Sequence, residues 1–178
     1  AHIGIYNSGK FKKIILGDYT LQFGQGLTLW SGFAFGKAPD VASIAKKDVG
    51  LKAYTSSNEY SFLRGIATNV AISKNIDFTP FVSFRKLDAS LSQNNEGLAV
   101  LTTINETGFH RTANEVNNKN SISQQIFGGV IQYQKNNFSI GAIAYQTQFS
   151  KHFTTGNEAY RSYNFTGNKL TNLGLNYN

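Results

Sequence analysis

Apolar and polar residues alternate with a period of two along most of the chain, the signature of half-buried β-strands. Ala1–Asn7 places Ile3 and Ile5 on one face, and Ser8-Gly9-Lys10 reads as a tight turn. The run from Phe11 to about Trp30 is the clearest alternation. Ile15, Tyr19, Leu21 and Phe23 share one face with Leu27 and Leu29 in phase, and Asp18, Thr20, Gln22, Gly24, Gly26 and Thr28 share the other. Ordinary soluble strands run to about 5–6 residues. So long a run predicts a lipid-exposed strand that continues beyond the membrane.

Further strands follow the same rule. Glu59–Ser73 sets Phe62, Ile66, Val70 and Ile72 against Gly65, Ala67, Asn69 and Ala71. Arg64 falls with the apolar set, where a long side chain can snorkel to an interface. After the turn at Lys74-Asn75, Ile76–Ser90 sets Ile76, Phe78, Val82 and Phe84 against Asp77, Thr79, Ser83 and Arg85. Pro80 has no ladder N–H, which predicts a bulge or an unpaired position there. Ser123–Gln134 puts Phe127, Gly129, Ile131 and Tyr133 on one face, and a turn at 135–137 leads into a strand over Phe138–Ser150. Leu170–Asn178 sets Leu173, Leu175 and Tyr177 against Asn172, Gly174 and Asn176.

About seven strands result, read as a single segment over residues 1–178. Tight turns at 8–10, 74–75 and 135–137 alternate with long connections at 31–57, 91–122 and 151–169. Within 31–57, a short helical turn is expected at Val41–Lys47, and the segment is expected to fold into or over a lumen. Short turns at one end and long loops at the other are the pattern of outer-membrane barrels. The expected fold is therefore all-β: an antiparallel up-and-down transmembrane β-barrel, and a fragment of a larger one, because open sheet edges are not tolerated in lipid. The lumen-facing candidates are Asp18, Thr20, Gln22, Asn69 and Arg85. The lipid-facing candidates are Ile15, Tyr19, Leu21, Phe23, Ile66, Val70, Phe78, Val82, Ile131 and Leu173.

Composition agrees with such a surface. Charged residues are 15% of the chain, against about 25% in soluble domains. Hydrophobic residues are 40%, and nine Tyr and 14 Phe supply material for interfacial girdles. No run of about 18 apolar residues exists, so a transmembrane helix is not expected, whereas a transmembrane strand needs only about 10 alternating residues. The net charge of +7 is dispersed, with Lys12–Lys13 and Lys46–Lys47 the densest pairs. Solvated turns and a positively biased rim account for it. The sharper alternative is a path for anionic cargo or contact with anionic headgroups. No basic nucleic-acid stripe is present.

Candidate chemistry is sparse. The absence of Cys removes disulfides, thiol nucleophiles and Cys-based metal sites. His2, His110 and His152 stand at no ligand spacing, so no metal is expected. Asp18 is a lone carboxylate, better suited to lining a lumen than to acid–base work. Gly24-Gln25-Gly26 lacks the third glycine and following helix of a phosphate loop and reads as a bend. No nucleophile elbow appears. No cofactor and no catalysis are expected.

Four stretches carry a resemblance. They are GDYTLQFGQGLTLWSGFAFGK (17–37), SSNEYSFLRGIA (56–67), ETGFHRTANEVNNKNSIS (106–123) and YNFTGNKLTNLGLNY (163–177). Together they resemble the barrel portion of large Bacteroidota envelope proteins that also carry a helix-hairpin-helix domain. That resemblance implies a bacterial outer-membrane location, with membrane lipid, other envelope subunits or further strands of the same barrel as partners. The helix-hairpin-helix segment has no counterpart here, so nucleic-acid binding is carried over to no residue. The expected role is a pore, channel or other transport component. The alternative is a soluble cell-surface β-sandwich that binds a partner.

Overall fold

A computed structural model of the chain describes residues 1–31, 48–56, 60–93, 97–154 and 163–177. The described residues are predominantly strand. In chain order the strands are β1 (His2–Ser8), β2 (Phe11–Phe23), β3 (Leu29–Trp30), β4 (Gly50–Ala53), β5 (Leu63–Ser73), β6 (Ile76–Leu87), β7 (Ala89–Gln93), β8 (Ala99–Ile104), β9 (Ile122–Lys135), β10 (Phe138–Phe153) and β11 (Gly167–Tyr177). One short helix, α1 (Ala113–Asn117), lies between β8 and β9.

The chain divides into two compact units. The first comprises Ala1–Ser83, Ile126–Gln146 and Thr171–Asn178. Its strands neighbour one another in the order β1-β2-β5-β6-β9-β10, with β11 beside β10, and β3 and β4 on β2. Tight turns make this order possible. Asn136 adopts a left-handed φ of 53° between β9 and β10, a conformation that asparagine tolerates better than most residues. In β2 and β5, Gly17 (φ +101°) pairs with Gly65 (φ +157°). A Cβ at Gly65 would collide with the Val82 carbonyl of β6, so only glycine lets the strands approach there. Pro80 lies between the paired positions Ala67–Phe81 and Val70–Phe78 of the β5–β6 ladder.

The core of this unit gathers Ile15, Tyr19, Leu21 and Phe23 of β2 with Leu29, Leu51, Leu63, Ala67, Phe81, Val130 and Ile143. The Tyr19 hydroxyl donates to the Val82 carbonyl at 2.7 Å, and the Tyr145 hydroxyl donates to the Thr28 carbonyl at 2.7 Å. A side chain at Gly174 would overlap Thr28, so the segment after β2 rests directly on the β11 backbone.

The second unit comprises Phe84–Gln125 and Thr147–Leu170. Here β7 and β8 form an antiparallel pair, and Leu101 of β8 pairs in parallel with Phe153 of β10. Thr112 and Glu115 form a reciprocal capping box at the start of α1. Asp88 ties the connection together. Its carboxylate meets His110 Nε2 at 2.7 Å and accepts from the Asn120 N–H at 2.7 Å.

The all-β class stands, but an all-antiparallel, closed arrangement does not. The sheet is mixed, and no pairing joins β1 to β11 among the described residues. Three sequence expectations also change. The run Phe11–Trp30 ends at Phe23, then turns through a 3₁₀ turn at Gly24–Gly26 in which Gln25 has φ 55°. The segment 91–122, expected as one polar loop, contains β8 and α1. The segment 31–57 contains β4, whose Lys52 and Leu51 pair with Thr20 and Leu21. The helical turn expected at Val41–Lys47 lies outside the described residues.

Candidate functional site

Two surfaces of the first unit bear on function: the outer face of its sheet and the packed face opposite. On the outer face, Leu16 is paired with Ile66 across β2 and β5, and both are exposed, at 45% and 43%. Ile131 of β9 is 44% exposed and Leu173 of β11 is 76% exposed. Ile3, Ile72, Phe78, Phe127 and Ile140 are exposed as well. The apolar positions therefore recur on each of the seven strands from β1 to β11. Scattered exposed apolar side chains are ordinary, but a face carrying them on every strand marks a surface meant to be covered.

Aromatic side chains gather where the tight turns are. Phe11, Phe138 and Tyr177 are exposed, and Tyr133 is half-buried. Asn176 lies against Gly141, and Gln146 Nε2 donates to Thr171 Oγ1 at 3.2 Å. That register brings Tyr177 to the same end as Phe138.

The opposite face is closed. Ile15, Tyr19 and Leu21, expected to meet lipid, are 0% exposed, and Phe23 is buried with them. These four are the centre of the core, which is a correction to the face assigned to β2. Its physical reason is the chain after Phe23. It turns back through Gly24–Gly26, and β3 and β4 then pair edge to edge with the end of β2, which brings Leu29 and Leu51 into one core with Phe81, Val130 and Ile143; periodicity within β2 carries no information about these partners. The polar candidates Asp18, Thr20 and Gln22 alternate with that inward set, so they lie on the outer side of β2 with Leu16 and line no lumen. Asp18 and Thr20 are both buried. Thr20 Oγ1 donates to the Lys52 carbonyl at 3.4 Å.

Asp18 sits opposite Arg64 in the β2–β5 ladder, and the two form a bidentate pair, with Nε–Oδ1 at 2.6 Å and Nη2–Oδ2 at 3.2 Å. The Arg64 guanidinium also lies 5.1 Å from the Phe62 ring centroid. A charge alternating with the apolar set is thus neutralised by its cross-strand neighbour, so Arg64 does not require a register slip. Asn69 shares the covered side of β5 and donates to Thr79 Oγ1 at 2.8 Å. Gln22 donates to the Ser31 carbonyl at 3.4 Å. Val70, Val82 and Arg85 are half-buried, while Ile66, Phe78, Ile131 and Leu173 are exposed.

Among the described residues no group of three or more His, Asp or Glu could hold a metal ion. No helix among them is long and apolar enough to cross a membrane. Sequence reasoning missed β4 and the Tyr145–Thr28 contact. β4 is only four residues long and opens on Gly50, which reads as a break, and nothing local to Tyr145 points to a partner 117 positions away. No family model, curated protein or solved structure matches the chain.

Proposed function

We propose that the chain forms part of the wall of a bacterial outer-membrane β-barrel and serves as a closed transport component. The observation that carries this reading is the apolar outer face repeated on seven neighbouring strands, with aromatic side chains collected at the tight-turn end. Lipid is the solvent that favours such a face, and aromatic girdles mark where the hydrocarbon ends. The resemblance to Bacteroidota barrel portions points to the same membrane. The packed core behind β2 argues for an interior that is filled at this part of the wall. Passage of cargo then requires displacement of the segment after Phe23, because Leu29 and Leu51 are buried in that core.

The test begins with the full-length protein. It should need detergent for extraction and migrate differently on a gel before and after boiling. In a planar bilayer it should show little steady conductance. Free solubility as a monomer without detergent would overturn the membrane reading and favour the soluble binding module. Large steady conductance in the unmodified protein would overturn the closed interior while leaving the membrane reading intact.

A further inference from the structure

The outer face of the first unit is not uniformly ridged. A groove of about 810 Å³ runs across it, bordered by Phe78 and Ile131 on one side and by Leu173 and Leu175 on the other. Its floor is low because Ala142 and Ala144 of β10 present only methyl groups. Gly129 presents none, and a Cβ there would press on the Phe78 ring. A groove on a lipid-facing surface fits a chain that is long, narrow and apolar.

The chemistry at one end of the groove narrows the occupant further. Ile131, Tyr133 and Lys135 alternate onto one face of β9. At about 3.3 Å per residue, Tyr133 lies ~7 Å and Lys135 ~13 Å along the strand from Ile131. The neighbouring turn is held close, with the Gln134 N–H donating to the Asn75 carbonyl at 2.8 Å. Lys74 and Lys135, each next in sequence to one of these bonded residues, therefore lie at the same turn end. Both are exposed, and neither has a carboxylate partner among the described residues. The nearby carboxylate of Asp77 is already taken by Lys12 at 2.6 Å. The turn end thus offers two uncompensated cations above an apolar groove, with a tyrosine between.

We infer that this groove and Lys74 and Lys135 form a binding site for an anionic glycerophospholipid. Its acyl chains lie over Ala142 and Ala144, its glycerol region sits at Tyr133, and its phosphate headgroup meets the two lysines. The inference rests on the membrane reading above. Short turns of outer-membrane barrels face the periplasm, so the site opens to the inner leaflet, where glycerophospholipids reside.

The test is native mass spectrometry of the detergent-solubilised full-length protein, titrated with phosphatidylglycerol or with phosphatidylcholine of the same acyl chains. The unmodified protein should retain the anionic lipid at least tenfold more readily. Lys74→Glu with Lys135→Glu should abolish that preference. Ala142→Leu with Ala144→Leu should fill the groove and reduce retention of both lipids, while heat-modifiable migration confirms that each variant is folded. Equal retention of the two lipids by the unmodified protein, or an unchanged preference in the lysine variant, overturns the inference. So does a dimer that the alanine variant dissolves, because a second copy then covers the face. A protein that is soluble without detergent fails the membrane reading itself. One that needs detergent yet shows no lipid preference fails only this site.

Discussion

Arginine placed on the outer face at graded heights separates a lipid-facing sheet from a water-facing one. Ile131 lies four residues before Lys135, and Leu173 four before Tyr177, each ~13 Å along its strand at about 3.3 Å per residue. A strand tilt near 40° converts that to a height of ~10 Å above the turn end, close to the middle of an apolar band about 25 Å tall. Ile66 lies seven residues before Ser73, hence at ~18 Å, well towards the far interface. Tyr177 lies at the near edge. Arginine at a bilayer midplane costs about 2–4 kcal/mol, falling to about 0–1 near the interfaces. Ile131→Arg and Leu173→Arg should therefore each lower the folding equilibrium constant by roughly 30- to 900-fold. Ile66→Arg should cost about half as much, and Tyr177→Arg close to nothing. The assay is reversible denaturant unfolding of the full-length protein in phospholipid vesicles. If water covers this face, exposed substitutions stay within about 0.5 kcal/mol and no gradient appears. Four flat values would refute the lipid-facing assignment. Leu21→Arg is not informative here, because a charge at a position with 0% exposure is costly in either solvent.

Three further outcomes follow from the packing. Leu21→Ala should destabilise the fold by about 2–5 kcal/mol, measured by the same unfolding assay, and a cost below about 1 kcal/mol would mean that the core behind β2 is not closed. Gly65→Val should cost about 1–3 kcal/mol, because a Cβ meets the Val82 backbone at a φ that side chains rarely adopt; a variant as stable as the parent would contradict the close β5–β6 approach. The Glu115 carboxyl is held below the usual carboxylate range, chiefly by the Arg111 backbone N–H at 2.6 Å and also by Thr112. Its folded-state pKa is depressed, so its contribution is present above the unfolded value and is lost as pH falls through the folded one. Amide exchange protection at α1 should therefore drop on acidification in the parent, be pH-independent in Glu115→Gln, whose amide oxygen still accepts in the capping box, and be low throughout in Glu115→Ala. Identical profiles would remove the capping box as the cause.

Strand positions were legible where one face carries the whole signal. Leu63–Ser73 and Ile76–Leu87 match their sequence readings closely at the shared turn, because Lys74-Asn75 admits little but a hairpin. The outward set Ile66, Phe78, Ile131 and Leu173 was also legible, since alternation assigns residues to faces directly. Alternation does not say which face is covered. On β2 the apolar side packs inward against Phe81, Val130 and Ile143 of other strands, together with Leu29 and Leu51 of the short β3 and β4 that extend its ladder. Periodicity is a property of one strand, and burial is a property of what lies over it. The polar stretch 91–122 hid order for a related reason. Asp88, His110 and Asn120 replace apolar packing there with hydrogen bonds that link residues up to 32 positions apart.

On the proposed reading, the packed core behind β2 changes what a transport role demands. A wet lumen needs no moving part, whereas here Phe23, Leu29, Leu51 and Ile143 share one dry cluster. Opening a path along β2 exposes those side chains, each worth about 1.5–3 kcal/mol of burial, so the closed state is favoured unless something else holds the inserted segment. Its attachments are extensive: β3 pairs with Gln22 and Phe23, β4 pairs with Tyr19–Gln22, and specific hydrogen bonds add to these ladders. The Tyr145 hydroxyl holds the Thr28 carbonyl, and the Asp48 carboxylate accepts from the Gly24 and Gln25 N–H groups at 3.0 and 3.1 Å. On the proposed transport reading, a cargo that opens this wall has to replace those ladder and side-chain hydrogen bonds and supply an apolar surface in place of Leu29 and Leu51. A small hydrophilic solute can do neither, so the proposed transport reading is better served by an amphipathic or protein ligand than by passive diffusion.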